Sequence, residues 1–130
     1  MSTNVDALRS AYEAFAKGDV PTVLDILDPE IQWTEAAGGP LGGLYQGPQE
    51  VVDGVFMRLA TEWDGFSVTP HEYIDGGDHV VVLATCGGIN RKTGKSLDCQ
   101  ISHVWSFRDG KATRFIGYAD TALLQEASTD

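Results

Sequence analysis

Residues 66–119 read FSVTPHEYIDGGDHVVVLATCGGINRKTGKSLDCQISHVWSFRDGKATRFIGYA, and this stretch decides the fold. Turn signals divide it into four runs rich in β-branched and aromatic residues. Asp75-Gly76-Gly77-Asp78 separates Phe66–Ile74 from His79–Ile89. Asn90 to Lys95, with Thr93-Gly94, leads into Leu97–Phe107, and Arg108-Asp109-Gly110 leads into Lys111–Ala119. Short connections between successive strands predict an antiparallel meander. Val80 to Ala84 is almost wholly apolar, which predicts a strand buried on both faces.

The preceding residues read mainly as helix. Val5, Leu8, Tyr12 and Phe15 fall at helical spacing, and Lys17-Gly18 ends that segment. Asp19 reads as an N-cap with Pro21 in the first turn, and Val23, Leu24, Ile26 and Leu27 predict a short second helix stopped by Asp28-Pro29. Ile31–Glu35 alternates and predicts a strand, while residues 38–43 are too rich in Gly and Pro for regular structure. Gly47-Pro48 opens a third helix carrying Val51, Val52, Val55, Phe56, Leu59 and Trp63. Gly54 in its middle costs about 1 kcal/mol relative to Ala, which points to close packing there. Asp120 to Leu124 reads as a capped terminal helical turn. Helices gathered before a long meander predict one α+β domain over residues 1–130. Three helices should cover the concave face of a strongly curved, mixed but mostly antiparallel sheet, leaving one pocket.

Composition narrows the partners. The formal net charge is −10, which repels phosphate backbones and anionic membrane surfaces, so neither nucleic acid nor membrane is expected. No apolar run approaches the roughly 18 residues of a membrane span. Met1 to Arg9 lacks the basic-then-apolar order of a signal peptide, so cytoplasmic residence is expected. Cys86 and Cys99 fall on neighbouring strands and are expected as buried, reduced thiols. His71, His79 and His103 lie on different strands without ligand spacing, so no metal is expected, and no phosphate-binding loop calls for a cofactor.

Two polar residues share strand faces with apolar neighbours. Glu35 follows Ile31 and Trp33, and His103 lies among Ile101, Trp105 and Phe107. An inward carboxylate and an inward imidazole suit acid–base chemistry beside a carbonyl. The residues leave other readings open: Glu35 solvated at the strand end, His103 bonded within the core, and Asp120 serving only as an N-cap. His71 and His79 are expected at the surface, and Tyr45 and Tyr118 read more readily as packing residues than as catalysts.

The motifs AFAKGD (14–19), LDPEIQW (27–33), YQGP (45–48), IDGGD (74–78) and HVWSFRDGK (103–111) make nearly the whole chain resemble one family. That family is the SnoaL-like, ketosteroid-isomerase-related branch of the nuclear-transport-factor-2-like superfamily. The resemblance implies a cone-shaped fold with one pocket and a homodimer formed through the convex sheet face. It places Glu35 where ketosteroid isomerases keep their proton-shuttling aspartate, and His103 where they keep the protonated aspartate of the oxyanion hole. Their oxyanion tyrosine falls on Ala11, with Tyr12 one place off. The family's polyketide cyclases match His103 as their site histidine, and their catalytic aspartate falls on Gly117.

The candidate catalytic residues are therefore Glu35 as general base and His103 as acid or oxyanion donor, expected on opposite walls of the cavity. The candidate ligand-binding residues are Trp33, Tyr45, Phe56, Leu59, Ile101, Trp105, Phe115 and Gly117. Their aromatic rings suit a small apolar, ring-containing ligand. Three functions follow: an isomerase or cyclase type of enzyme, a non-catalytic binder of a small hydrophobic molecule, and a dimerisation module.

Overall fold

The computed structural model describes residues 3–130; Met1 and Ser2, the start of the segment read for a leader, lie outside it. In chain order it contains helices α1 (Thr3–Ala16) and α2 (Val20–Leu24), then strands β1 (Leu27–Glu35) and β2 (Gly43–Gln46). Helix α3 (Gly47–Val51), a π-helical turn (Val52–Phe56) and α4 (Met57–Glu62) follow without a break. Strands β3 (Trp63–Gly76), β4 (His79–Asn90), β5 (Ser96–Arg108) and β6 (Lys111–Ala119) precede helix α5 (Thr121–Ser128). The six strands form one curled sheet in the order β2-β1-β6-β5-β4-β3, with helices packed on its concave face. Only β1 and β6 run parallel; the other four pairs are antiparallel.

Four local expectations are corrected. Helix α2 stops at Leu24, not Leu27: the Ile26 carbonyl accepts from Ala112 N at 2.7 Å and Leu27 pairs with Ala112, so the partner strand draws this segment into the sheet. Residues 43–46 form the edge strand β2, because the glycines before it let the chain fold back tightly. A Cβ on Gly42 would lie 2.7 Å from the Ala37 carbonyl oxygen, and Gly43 holds φ at +143°, which other residues avoid. Trp63 begins β3 rather than closing the third helix. The terminal turn extends to an eight-residue helix, with Asp120 capping Leu123 N at 3.2 Å.

Three cross-strand rows organise the sheet. On the concave face, Tyr45, Trp33, Phe115, Trp105 and Val80 are successive register partners. Trp33 and Phe115 stack with ring centres 3.8 Å apart. Two residues further along the strands, on the same face, comes the row that carries the polar site. On the convex face, Leu44, Thr34, Ile116, Val104, Val81 and Ile74 are register partners across all six strands. Val81 and Leu83 on that face are only half-buried, so β4 is buried on one face and not on both. Among the described residues, no helix covers the sheet on that side.

Two clusters of buried residues fill the concave side. The larger lies beneath α1 and the helices of residues 47–62, and the smaller centres on Trp63, Cys86, Leu97, Cys99 and Ala127 beneath α5. Leu59 and Val68 pack against both, so the two clusters meet along one cavity. Gly54 packs as its position suggests: a Cβ there would lie 2.3 Å from Tyr45 Cε1.

Candidate active site

The polar row reads Glu35 on β1, Gly117 on β6, His103 on β5, Val82 on β4 and Tyr73 on β3. His103 is the register partner of both Gly117 and Val82, and Val82 is that of Tyr73. Thr34 pairs with Ile116 in the parallel ladder, so Glu35 stands beside Gly117 one step on. A Cβ on Gly117 would lie 3.7 Å from Glu35 Oε1 and 3.3 Å from Phe115 Cε1. Glu35 and His103 thus flank a residue without a side chain, their backbones two strand spacings or roughly 10 Å apart across the sheet. They stand side by side on the sheet wall and not on opposite walls, because the alternation of each strand sends both to the concave face.

Glu35 is held by its own strand. Trp33, two residues before it on the same face, donates Nε1–H to Glu35 Oε2 at 2.7 Å. Oε1 has no bonding partner among the described residues, and it is not sealed from the cavity. Burial outweighs the Trp33 hydrogen bond and pushes the carboxyl up to about 7, so near neutral pH it takes up and releases a proton with little bias.

His103 is held from the helical side. Its Nδ1 lies 2.6 Å from the Tyr12 hydroxyl, and that hydroxyl accepts from Trp105 Nε1 at 3.1 Å. Burial pushes the imidazole down to about 4, so it is neutral at physiological pH. Burial also drives the Tyr12 phenol far upward, so it keeps its proton. Nε2 of His103 has no partner among the described residues and opens on the cavity.

The cavity is about 130 Å³ in volume. Glu35 and His103 line it with Trp33, Phe56, Leu59, Ile101, Trp105, Phe115 and Gly117. Tyr45 does not: its ring lies against Gly54 and its hydroxyl donates to the Leu41 carbonyl at 2.6 Å, bracing the loop at the pocket rim. Tyr118, expected to pack, is 54% exposed at the end of β6. His71 and His79 are exposed on the convex side.

Tyr12 is the residue bonded to the candidate site that the sequence reading did not place there. Its spacing with Leu8 and Phe15 marked it as core, and nothing local announces a partner 91 residues away. Cys86 also lines the cavity and faces Cys99 across β4 and β5; both thiols are free. Burial pushes the Cys86 thiol up to about 12, which leaves it protonated and unreactive. No lysine or arginine lines the cavity. Among the described residues, no group of three or more His, Cys, Asp or Glu is placed to hold a metal ion.

A curled sheet closed by helices over one acid, one imidazole and an apolar cavity defines the nuclear-transport-factor-2-like class of pocket proteins. Within it, the chain belongs to the SnoaL-like domain family, whose model matches residues 8–115. It is similar over 100% of both chains to an NTF2-like protein from Burkholderia thailandensis, with 35% identity and a TM-score of 0.95. It is 29% identical to TerC, solved in co-crystals with polyporic acid, over 98% of each chain with a TM-score of 0.88. A protein of ketosteroid isomerase-like fold from Catenulispora acidiphila, in complex with trimethylamine, shares the fold alone. It is 16% identical over 94% of this chain and 91% of its own, with a TM-score of 0.80. No curated protein matches the sequence.

Proposed function

We propose that the protein is an isomerase or cyclase type of enzyme that moves a proton beside a carbonyl in a small apolar substrate. One observation carries this reading: Glu35 and His103 both line one apolar cavity, on either side of the gap at Gly117, and neither Oε1 nor Nε2 has a partner among the described residues. Glu35 removes a proton from the carbon next to the carbonyl. His103 donates a hydrogen bond to the carbonyl oxygen as charge develops there, and Glu35 then returns the proton to another carbon. The cavity's volume takes at least one ring of a ligand, since a site near 150 Å³ accommodates benzene.

Cyclohex-3-enone tests this, because its conversion to the conjugated enone needs only proton removal from C2 and return at C4. Catalysed conversion at pH 7, lost in Glu35→Gln and slowed about a hundredfold or more in His103→Ala, supports the reading. The nearly unbroken apolar lining favours a second reading, a non-catalytic binder. The TerC co-crystal makes polyporic acid the first ligand to test for it. Saturable binding of polyporic acid with no proton transfer in any cyclic ketone overturns the enzyme reading in favour of the binder.

The same proposal places the protein in the cytoplasm as a homodimer. Leu44 and Ile74, 52% and 45% exposed at the two ends of the convex row, give a second copy an apolar strip to cover.

A further inference from the structure

The hydrogen bonds around Tyr12 determine which nitrogen of His103 carries the proton. An indole N–H only donates, so the Tyr12 oxygen must accept from Trp105 Nε1. The hydroxyl then has one proton of its own to place. Among the described residues, its only other partner is His103 Nδ1 at 2.6 Å. Were Nδ1 protonated, the Tyr12 oxygen would accept twice and its proton would be left in an apolar core without an acceptor. A buried donor left unpaired in this way loses its hydration with nothing in return. The economical arrangement runs one way: Trp105 N–H to Tyr12 O, Tyr12 O–H to His103 Nδ1, and the remaining ring proton on Nε2.

We propose that Tyr12 is a positioning residue that fixes His103 in the tautomer whose Nε2–H opens on the cavity. Tyr12 also lines the cavity, but its hydroxyl is taken up between Trp105 Nε1 and His103 Nδ1 and so acts through the imidazole. It decides whether His103 meets a substrate as a hydrogen-bond donor or as an acceptor. A donor at Nε2 leaves Glu35 as the only base in the cavity, which sets the direction of proton traffic. This catalytic consequence rests on the enzyme reading above, whereas the tautomer stands without it.

The experiment is a long-range proton–nitrogen spectrum of protein carrying ¹⁵N-histidine at pH 7, with no ligand. In the wild type, His103 should show one protonated nitrogen, Nε2, and an unprotonated Nδ1. In Tyr12→Phe, with folding checked by circular dichroism, the two nitrogens should move towards averaged shifts. A wild-type Nδ1–H tautomer overturns the proposal, and so does a Tyr12→Phe spectrum identical to the wild type. Should the variant not fold, the wild type alone decides: coupling between the Tyr12 hydroxyl proton and Nδ1 supports the assignment, and a protonated Nδ1 overturns it. Where cyclohex-3-enone is turned over, Tyr12→Phe should lower kcat about tenfold and leave KM within about twofold. Failure of all turnover would sink the enzyme reading and leave the tautomer result intact.

Discussion

Trp33 and Trp105 meet edge to face, with ring centres 5.5 Å apart and planes at 89°, and each indole N–H holds one half of the site. Trp33 bonds the acid directly, and Trp105 reaches the imidazole through Tyr12. The aromatic row beneath the polar row is therefore both core and scaffold. Its apolar bodies fill the floor while its two N–H groups aim the chemistry upward, which satisfies the only polar atoms the indoles bring into the core.

The raised acid predicts a pH signature in stability. Glu35 moves from an ordinary value of 4.5 up to about 7 on folding. Below 4.5 both states are protonated and burial carries no ionic penalty. As pH rises towards 7 only the unfolded chain ionises, and stability falls by on the order of 3 kcal/mol. His103, pushed from 6.5 down to about 4, acts in the opposite sense: its stability contribution is lost as pH falls through the same window. Glu35→Gln should therefore gain on the wild type between about pH 4.5 and 7 and hold that gain above it. Urea denaturation at several pH values measures this, and parallel curves for the two proteins would refute it.

Gly117 should govern access to the acid. Gly117→Ala places a methyl group 3.7 Å from Glu35 Oε1 and 3.3 Å from the Phe115 ring, in the gap between acid and imidazole. Ligand affinity should fall about tenfold, equivalent to roughly 1.4 kcal/mol, while the melting temperature changes little. Calorimetry with polyporic acid or a substrate reads the first quantity; unchanged affinity would show that the gap is not used.

At Gly54, packing and helix propensity oppose one another. Alanine gains about 1 kcal/mol as a helix former. Its methyl group, however, would fall 2.3 Å from Tyr45 Cε1, on a ring also tied to Leu41 through its hydroxyl. Overpacking of this kind typically costs about 1–3 kcal/mol, so the net change should be a loss. An increase in the denaturation midpoint of Gly54→Ala would show that the ring moves aside freely.

The convex row sets the expectation for assembly. A dimer built there should bury about 1,200–2,000 Å² in total. Val104→Lys, at the middle of the row, should convert it to a folded monomer, as light scattering at micromolar concentration would report. A wild-type protein that is already monomeric ends this prediction.

The sequence made the meander and the α+β class legible because turn residues and two-residue alternation are local signals. Glu35 and His103 could be singled out for the same reason: alternation says which face a side chain takes. It does not say which strands become neighbours. The parallel pairing of β1 with β6 brings Glu35 beside Gly117, a contact between residues 82 positions apart in sequence. That pairing puts acid and imidazole on one wall. Strand β2 was hidden by glycines that serve the turn before it. The start of β1 was hidden by Asp28-Pro29, which reads locally as a helix stop yet lies inside the strand. Tyr45 was expected among the ligand-binding residues, whereas its place is set by the side chain missing at Gly54.

The row arrangement makes the titration of Glu35 a gauge of correct strand pairing. A slip of β1 by one residue against β6 would send Thr34 inward and Glu35 out to water, since alternate side chains exchange faces. Such a chain could keep the same strand content and hence a similar far-ultraviolet spectrum. Its carboxyl would return to the range of a solvated acid. Recovery of an acid near 7 after refolding would therefore certify the register of the sheet, a property that secondary-structure measurements do not see.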